Sequence, residues 1–172
     1  MEEVVLVDPS DRQLGAMEKL EAHRKGLLHR AISVFVFNSR GELLLQKRAS
    51  SKYHGGGLWT NTCCSHPRVN ETPSDAAKRR LKEEMGIDTQ PVFSHTFLYK
   101  AEVGQGLTEH ELDHVYTATH DGLPQLDPAE AEDWRYIDEA TLRSEVKSDP
   151  EKFSAWIKII LNDPKFRFAG NG

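Results

Sequence analysis

Three short stretches of this sequence hold side chains whose types and spacing can do chemistry. The first is Asn61-Thr62-Cys63-Cys64-Ser65-His66-Pro67, which sets a thiol two residues from an imidazole. Cys64 and His66 have the atoms to ligate a metal, although a structural zinc site would need two more ligands at conventional spacing. The bland alternative is an inert buried thiol, since free cysteine is among the most buried residue types. The second stretch is Glu109-His110-Glu111 in a β-prone segment. Alternation along a strand puts Glu109 and Glu111 on one face, with His110 and Leu112 on the other. Two carboxylates side by side repel unless a cation holds both or one keeps its proton. The alternative is an edge strand exposing an acidic face. The third stretch is Arg79, Arg80, Glu83 and Glu84, where residues 80 and 84 lie one helical turn apart. Taken alone, that run also describes a salt-bridged solvent face.

These groups need elements to hold them. Glu3–Val7 reads as a short strand, followed by a polar turn around Asp8-Pro9-Ser10-Asp11. Ala31–Asn38 is β-rich and apolar on both faces, as a central strand would be. Ser39-Arg40-Gly41 turns the chain into Glu42–Arg48, which predicts a hairpin. Gly55-Gly56-Gly57 is a loop leading into Leu58-Trp59-Thr60-Asn61. Thr72 is a good N-cap, with Pro73 at the first helical position and Asp75 in the first turn. That helix should run to about Met85, where Gly86 stops it. Strands are expected at Val92–Ala101 and Glu109–Thr119. Helices are expected over Asp138–Val146 and Pro150–Leu161, the latter capped by Asp149, with Phe153, Trp156, Ile157 and Ile160 on one stripe. The order predicts a mixed α/β (α+β) sandwich.

The totals set bounds. A chain of 172 residues without internal repeats or a long linker predicts a single domain over 1–172, large enough to bury a core. A net charge of −5 gives no general reason to expect nucleic acid. The longest apolar run, Ile157–Leu161, is too short to span a bilayer, so no membrane partner is expected. The opening Met1-Glu2-Glu3 lacks the basic-then-apolar pattern of a signal peptide, which predicts a cytoplasmic protein. Its two cysteines are adjacent and poorly placed to bridge each other without strain, so both are expected as free thiols.

The run Ser65-x5-Glu71-x7-Arg79-Arg80-Leu81-Lys82-Glu83-Glu84-Met85-Gly86-Ile87 resembles the Nudix box, whose usual form opens on Gly and has Glu after the motif Arg. Here those positions are Ser65 and Arg80. That Glu is a metal ligand in the hydrolases of the family. The departures resemble instead the type I isopentenyl-diphosphate isomerases. So do His23, His29-x-Ala31, Gln46-Lys47-Arg48-Ala49-x-x-Lys52, Gly57-Leu58-Trp59-Thr60-Asn61, Cys64-x-His66-Pro67, Glu84, Glu109-x-Glu111 and Trp156. The likeness spans Glu18 to Trp156 and implies a Nudix-type mixed sheet sandwiched between helices.

Carried over residue by residue, the resemblance implies one metal held by His23, His29, His66, Glu109 and Glu111. Three imidazoles and two carboxylates suit Mn²⁺ or Zn²⁺ better than Mg²⁺. It implies a second ion, Mg²⁺, between Glu84 and a diphosphate, and Arg48, Lys52 and Arg80 as the diphosphate's binding residues. Guanidinium forks and an ammonium suit phosphate oxygens. An isomerase must hold the diphosphate intact, so a cation at position 80 makes sense where a hydrolase needs a carboxylate. Moving a double bond from C3–C4 to C2–C3 requires a proton gained at C4, another lost from C2, and exclusion of water. The resemblance makes Cys64 and Glu111 the proton-transfer pair. The expectation favours Glu111, working with Tyr99, as donor and Cys64 as base, its thiolate supported by the metal and His66. It places the face of Trp156 against the hydrocarbon tail, where its π cloud stabilises positive charge, core packing being the alternative. His54, His95, His110, His114 and His120 receive no role, Cys63 is expected as a small buried residue, and Glu83 is left between cation partner and metal neighbour. The expected partner is a small isoprenoid diphosphate, and the expected state is a monomer, with a weak dimer as the alternative. Two rival readings are a Nudix hydrolase, against which Arg80 argues, and a binding module without turnover.

Overall fold

The computed structural model describes residues 2–52 and 55–168, so His54 lies outside the described residues. The sheet is built on β3 (His29–Phe37), as its apolar run predicts. It pairs in parallel with β8 (Leu107–Thr119) along its whole length, from His29 opposite Glu111 to Phe37 opposite Thr119. On its other flank it pairs with the short β6 (Cys63–Ser65), Ser33 lying opposite Cys64. β1 (Glu3–Val7) and β2 (Gln13–Glu18) form a hairpin that joins β3 through Leu6 and His29.

The hairpin expected between β3 and β4 (Leu43–Arg48) exists only at its base, where Phe37 pairs with Leu43. Beyond that point the two strands part. β4 pairs with β9 (Ala131–Ile137) and with the two-residue β5 (Trp59–Thr60). β7 (Val92–Gly104) pairs with β8, which therefore has a neighbour on each side. The second neighbour reaches β8 only from Glu111 onward, but Glu109 and Glu111 are both buried, so the reading of an exposed acidic edge fails.

Alternation along β3 divides the core. Ile32, Val34 and Val36 pack with Ala76, Ala77, Leu81 and Met85 of α2 (Pro73–Met85). Phe35 and Phe37 pack on the opposite face with Leu142 of α3 (Glu139–Ser148) and with Trp156, Ile157 and Ile160 of α4 (Ala155–Leu161). Helices thus cover both faces of a mixed sheet. α2 has the ends its sequence predicts: Thr72 Oγ1 accepts from the Asp75 amide at 3.1 Å, and Gly86 closes it at φ 67°. A β-carbon at Gly86 would stand 2.7 Å from Gln125 Cβ, so both backbone angle and space demand glycine.

The expected helix Pro150–Leu161 is broken. A 3₁₀ turn spans Pro150–Lys152, Phe153 is extended and bridges Trp59, and Ser154 rather than Asp149 caps α4. The Ser154 amide donates to the Trp59 carbonyl at 2.9 Å, and its hydroxyl to Thr60 Oγ1 at 2.8 Å. Tertiary contacts with β5 therefore set where α4 begins. No helix among the described residues is long and apolar enough to cross a membrane.

Candidate active site

Elements far apart in sequence bring the predicted side chains together. α1 (Lys19–Lys25), capped by the Glu18 carboxylate and closed by Gly26 at φ 64°, presents His23 from its last turn. His29 begins β3, His66 follows β6, and Glu109 and Glu111 lie on the central β8. The loop after His66 is tied to α2 by Arg79, which donates through Nε and Nη2 to the Glu71 carboxylate at 2.7 and 2.8 Å. Each charge on that forked pair strengthens the other.

His23, His29, His66 and Glu111 each offer one ligand atom, all within 4.8 Å of one another. Glu109, expected among them, stands one step away, with Oε2 3.9 Å from His23 Nε2. The two outer imidazoles are oriented from behind: His23 Nδ1 meets the Lys19 carbonyl at 2.7 Å, and His29 Nδ1 the Leu27 carbonyl at 2.8 Å. With a proton on each Nδ1, the Nε2 lone pairs face inward, the usual support of a metal-binding histidine. Glu111 Oε2 lies 2.9 Å from His29 Nε2 and 2.8 Å from His66 Nε2. Lone pairs cannot meet at such distances without a proton or a cation between them, so this donor set fits a divalent ion.

Burial and charge act together here. Burial pushes His23 down to about 4, the nearby His66 charge adding to it. Burial works the same way on His29, but its hydrogen bond to Glu111 overcomes it and holds His29 above its ordinary value. Burial opposes ionisation of Glu111 as well, yet His29 and His66 hold it well below the usual carboxylate range. Tyr99 sits opposite Glu111 on β7, its hydroxyl 2.5 Å from Glu111 Oε1 and 3.1 Å from Glu109 Oε1. Burial and the two carboxylates raise that phenol well above its ordinary value, so it keeps its proton.

The neighbouring cysteines point to opposite faces of the sheet. Cys63 packs on the α2 side and donates to Glu84 Oε2 at 3.1 Å, a polar contact that simple burial did not anticipate. Cys64 faces α4. Its S–H donates to Asn61 Oδ1 at 3.0 Å, and Trp156 Nε1 donates to its sulfur at 3.0 Å. The Asn61 amide is fixed, because its nitrogen donates to the carbonyls of Val34 and Cys63 at 3.1 and 3.0 Å. The protein does not by itself supply the cationic surroundings expected for Cys64. Burial raises its pKa, and the Asp113 carboxyl, when ionised, adds in the same direction. The resident form in the protein alone is the thiol.

Cys64, His66, Tyr99, Glu109, Glu111 and Trp156 line one pocket of about 520 Å³ with the phosphate-binding candidates Arg48, Lys52 and Arg80. The Arg48 guanidinium lies 5.0 Å from the centre of the Trp156 ring, so one region of the indole face carries a cation. Arg80 Nη2 reaches Glu84 Oε2 at 3.1 Å. Glu84 is buried and also accepts from Gln46 Nε2 at 3.2 Å; it stands apart from the histidine cluster. Glu83 proves to be a cation partner, 2.7 Å from Arg79 and 3.4 Å from Arg80.

The family follows from comparison with known proteins. A NUDIX domain model matches residues 27–157. Isopentenyl-diphosphate Delta-isomerase 2 of Aromatoleum aromaticum is 51% identical over 161 residues, covering 94% of this chain and 85% of its own length. The isopentenyl-diphosphate Delta-isomerase of Pectobacterium atrosepticum is 52% identical over 159 residues, covering 91% and 88% respectively. This chain belongs to the isopentenyl-diphosphate Delta-isomerase family of NUDIX proteins. In fold it is similar to DR0079 from Deinococcus radiodurans, with a TM-score of 0.79, 19% identity, and coverage of 93% of this chain and 97% of that one.

Sequence reasoning on this family member missed three groups at the site. Asp113 continues the alternation of Glu109 and Glu111, so the signal was present. It accepts from Ser33 Oγ at 2.6 Å, and burial keeps its carboxyl well above the usual range. Asn61 was matched without a role. Glu130, which contacts both Lys52 and Arg80, lies in the run Asp127-Pro128-Ala129-Glu130, where nothing in spacing marks it. Of the histidines without a role, His110 Nδ1 meets the Gly26 carbonyl at 3.2 Å, and His114 Nε2 meets Asp11 Oδ2 at 3.1 Å.

Proposed function

We propose that this chain interconverts isopentenyl and dimethylallyl diphosphate by adding a proton at C4 and removing one from C2, through a state with tertiary carbocation character at C3. The observation that carries the reading is a single pocket lined by the Cys64 thiol, the Glu111–Tyr99 pair, and the cations Arg48, Lys52 and Arg80. The three cations bind the diphosphate and leave its P–O–P bridge intact. Cys64 and Glu111 exchange the protons. Because the reaction runs both ways, each is the acid in one direction and the base in the other. Tyr99 holds one Glu111 oxygen by hydrogen bond, which leaves the carboxyl group a fixed direction. Trp156 closes the pocket against water beside Cys64 and offers its π electrons to positive charge at C3.

Divalent-metal binding suits the donor set. Mn²⁺, Zn²⁺ or Mg²⁺ held by His23, His29, His66, Glu109 and Glu111 would place positive charge beside the Glu111 carboxyl group. Mg²⁺ reaching Glu84 would neutralise part of the diphosphate charge. We place the enzyme in the cytoplasm, acting as a monomer on a small isoprenoid diphosphate. Both cysteines are free thiols, as a reducing compartment would keep them.

The test is turnover of isopentenyl diphosphate in heavy water with Mg²⁺ and Mn²⁺, followed by NMR beside a phosphate-release assay. The expected result is deuterated dimethylallyl diphosphate, no phosphate, and loss of the signal in Cys64→Ala. Phosphate release without a shifted double bond would assign the chain to hydrolysis instead.

A further inference from the structure

Glu130 has no part in the chemistry just described, yet it occupies the centre of the cationic wall. Its Oε2 accepts from Lys52 Nζ at 2.7 Å, and its Oε1 lies 3.2 Å from Arg80 Nη2. All three side chains line the pocket, and each is about one-fifth exposed or less, at 21% for Glu130, 21% for Lys52 and 18% for Arg80. The backbone fixes the arrangement. The Ala49 amide donates to the Glu130 carbonyl at 3.0 Å, and the Glu130 amide to the Asp127 carbonyl at 2.9 Å. Next to Ala49, Ser50 donates from its amide and its hydroxyl to Glu132 Oε1 at 2.8 and 2.7 Å. The segment carrying Lys52 is thus strapped to the chain entering β9, and the Glu130 carboxylate is built into the wall. Burial works against its charge, but Lys52 and Arg80 outweigh that and hold it ionised below its ordinary range.

We propose that Glu130 is the internal counter-anion of the diphosphate subsite: it holds Lys52 and Arg80 in position before substrate arrives, and an entering diphosphate takes both cations from it. The inference rests on the reading of Arg48, Lys52 and Arg80 as the diphosphate clamp. Glu83 and Glu84 anchor Arg80 from its own helix, but without Glu130 the long Lys52 side chain would repel Arg80 across the pocket and spread over more rotamers. A carboxylate between them removes the repulsion and keeps their donors converged, which lowers the ordering entropy lost on binding. The same carboxylate opposes any anion that comes within hydrogen-bonding distance of its partners, with a strength set by partial exposure and salt. Glu130 therefore makes the subsite selective. A ligand must offer enough negative oxygen to displace a bound carboxylate, as a diphosphate does and a weakly charged anion does not.

The experiment is calorimetric titration of the purified chain and of Glu130→Gln with inorganic pyrophosphate, at low and at high salt. Glutamine keeps the size of the side chain and a carbonyl that accepts from Lys52, so the wall stays assembled while the charge goes. Glu130→Gln should bind pyrophosphate more tightly, on the order of fivefold at low salt, and the gain should shrink as salt screens the pair. The KM for isopentenyl diphosphate should fall in the same direction. If thermal melting shows that Glu130→Gln does not fold, Glu130→Asp, which draws the carboxylate back by one methylene, decides the matter with the same readout. A variant that binds equally or more weakly than the parent overturns the counter-anion role and makes Glu130 a strut. If neither parent nor variant binds pyrophosphate, the diphosphate clamp itself falls and takes the inference with it.

Discussion

Trp156 meets its surroundings in two different ways, and substitutions can separate them. Its indole N–H donates to Cys64 Sγ at 3.0 Å, while its ring face lies under the Arg48 guanidinium, 5.0 Å away. Trp156→Phe keeps an aromatic face and removes the donor. A hydrogen bond of this kind contributes about 1 kcal/mol, so kcat should fall several-fold, to roughly a tenth at most, with KM little changed. Trp156→Leu also removes the π cloud, worth about 2 kcal/mol or more to a cation in a dry pocket, and should fall further. Steady-state kinetics on both variants checks this; a Trp156→Phe enzyme with parental kcat would make the N–H contact idle. A second prediction concerns His23, which burial pushes down to about 4 from 6.5. Between those values the unfolded chain binds the proton that folded His23 refuses, so this contribution to stability is complete above about pH 6.5 and is lost as pH falls toward 4. The chelated parent should therefore lose melting temperature over that window more steeply than chelated His23→Gln. Equal slopes would remove His23 as the cause. At this scale the sequence was legible where residue type and spacing repeat. The Glu109 and Glu111 alternation placed both carboxylates on one buried face. Glu130 was illegible because its role depends on Lys52 and Arg80 arriving from distant segments.

Element boundaries were readable where the deciding contacts are local. Thr72, Pro73 and Gly86 define α2 because a cap, a fixed φ and a left-handed closure all act within a few residues. The same logic failed over Pro150–Leu161, since the bridge from Phe153 to Trp59 breaks the helix from outside. α1 was missed because a helix of only seven residues is too short to show its period and gains its stability from packing. β9 was missed because its first residues, Ala131-Glu132-Asp133, carry charge where strand propensity looks for apolar alternation. The correction at α4 carries its own prediction. Ser154 Oγ accepts from the Ile157 amide at 3.3 Å and donates to Thr60 Oγ1 at 2.8 Å, so it both caps the helix and pins it to β5. Ser154→Ala should destabilise the fold by about 1 kcal/mol, within the range for N-cap losses, by urea unfolding. It should also lower kcat, because Trp156 lies two residues on. Asp149→Ala, the cap that sequence alone suggested, should leave kcat near the parental value.

At the scale of the molecule, the histidine cluster would act as a cross-link once it held an ion. His23 comes from α1, His29 from the start of the central strand, His66 from the loop after β6, and Glu111 from the strand parallel to β3. His23 and Glu111 are separated by about half the chain, so an ion held by all four groups would exist only in the folded state and stabilise it by mass action. At a free concentration one hundred times the dissociation constant, that linkage amounts to about 2.7 kcal/mol. In a chain of this length it corresponds to a rise of roughly 5–10 °C in melting temperature. Without an ion, protons must bridge Glu111 to its imidazoles, which is what the raised His29 and lowered Glu111 describe. The chain stripped by a chelator should therefore melt lower than the same chain with Mn²⁺ or Zn²⁺ restored. His29→Ala should melt at one temperature in both conditions, having lost a ligand and the partner that keeps Glu111 ionised. Glu84→Gln should keep the metal-dependent shift, because Glu84 stands apart from the cluster beside Arg80. Thermal melts of the three proteins with and without metal distinguish the cases. If the parent is indifferent to chelator and metal alike, the cluster is a proton-bridged network, and the charge beside Glu111 comes from histidine alone.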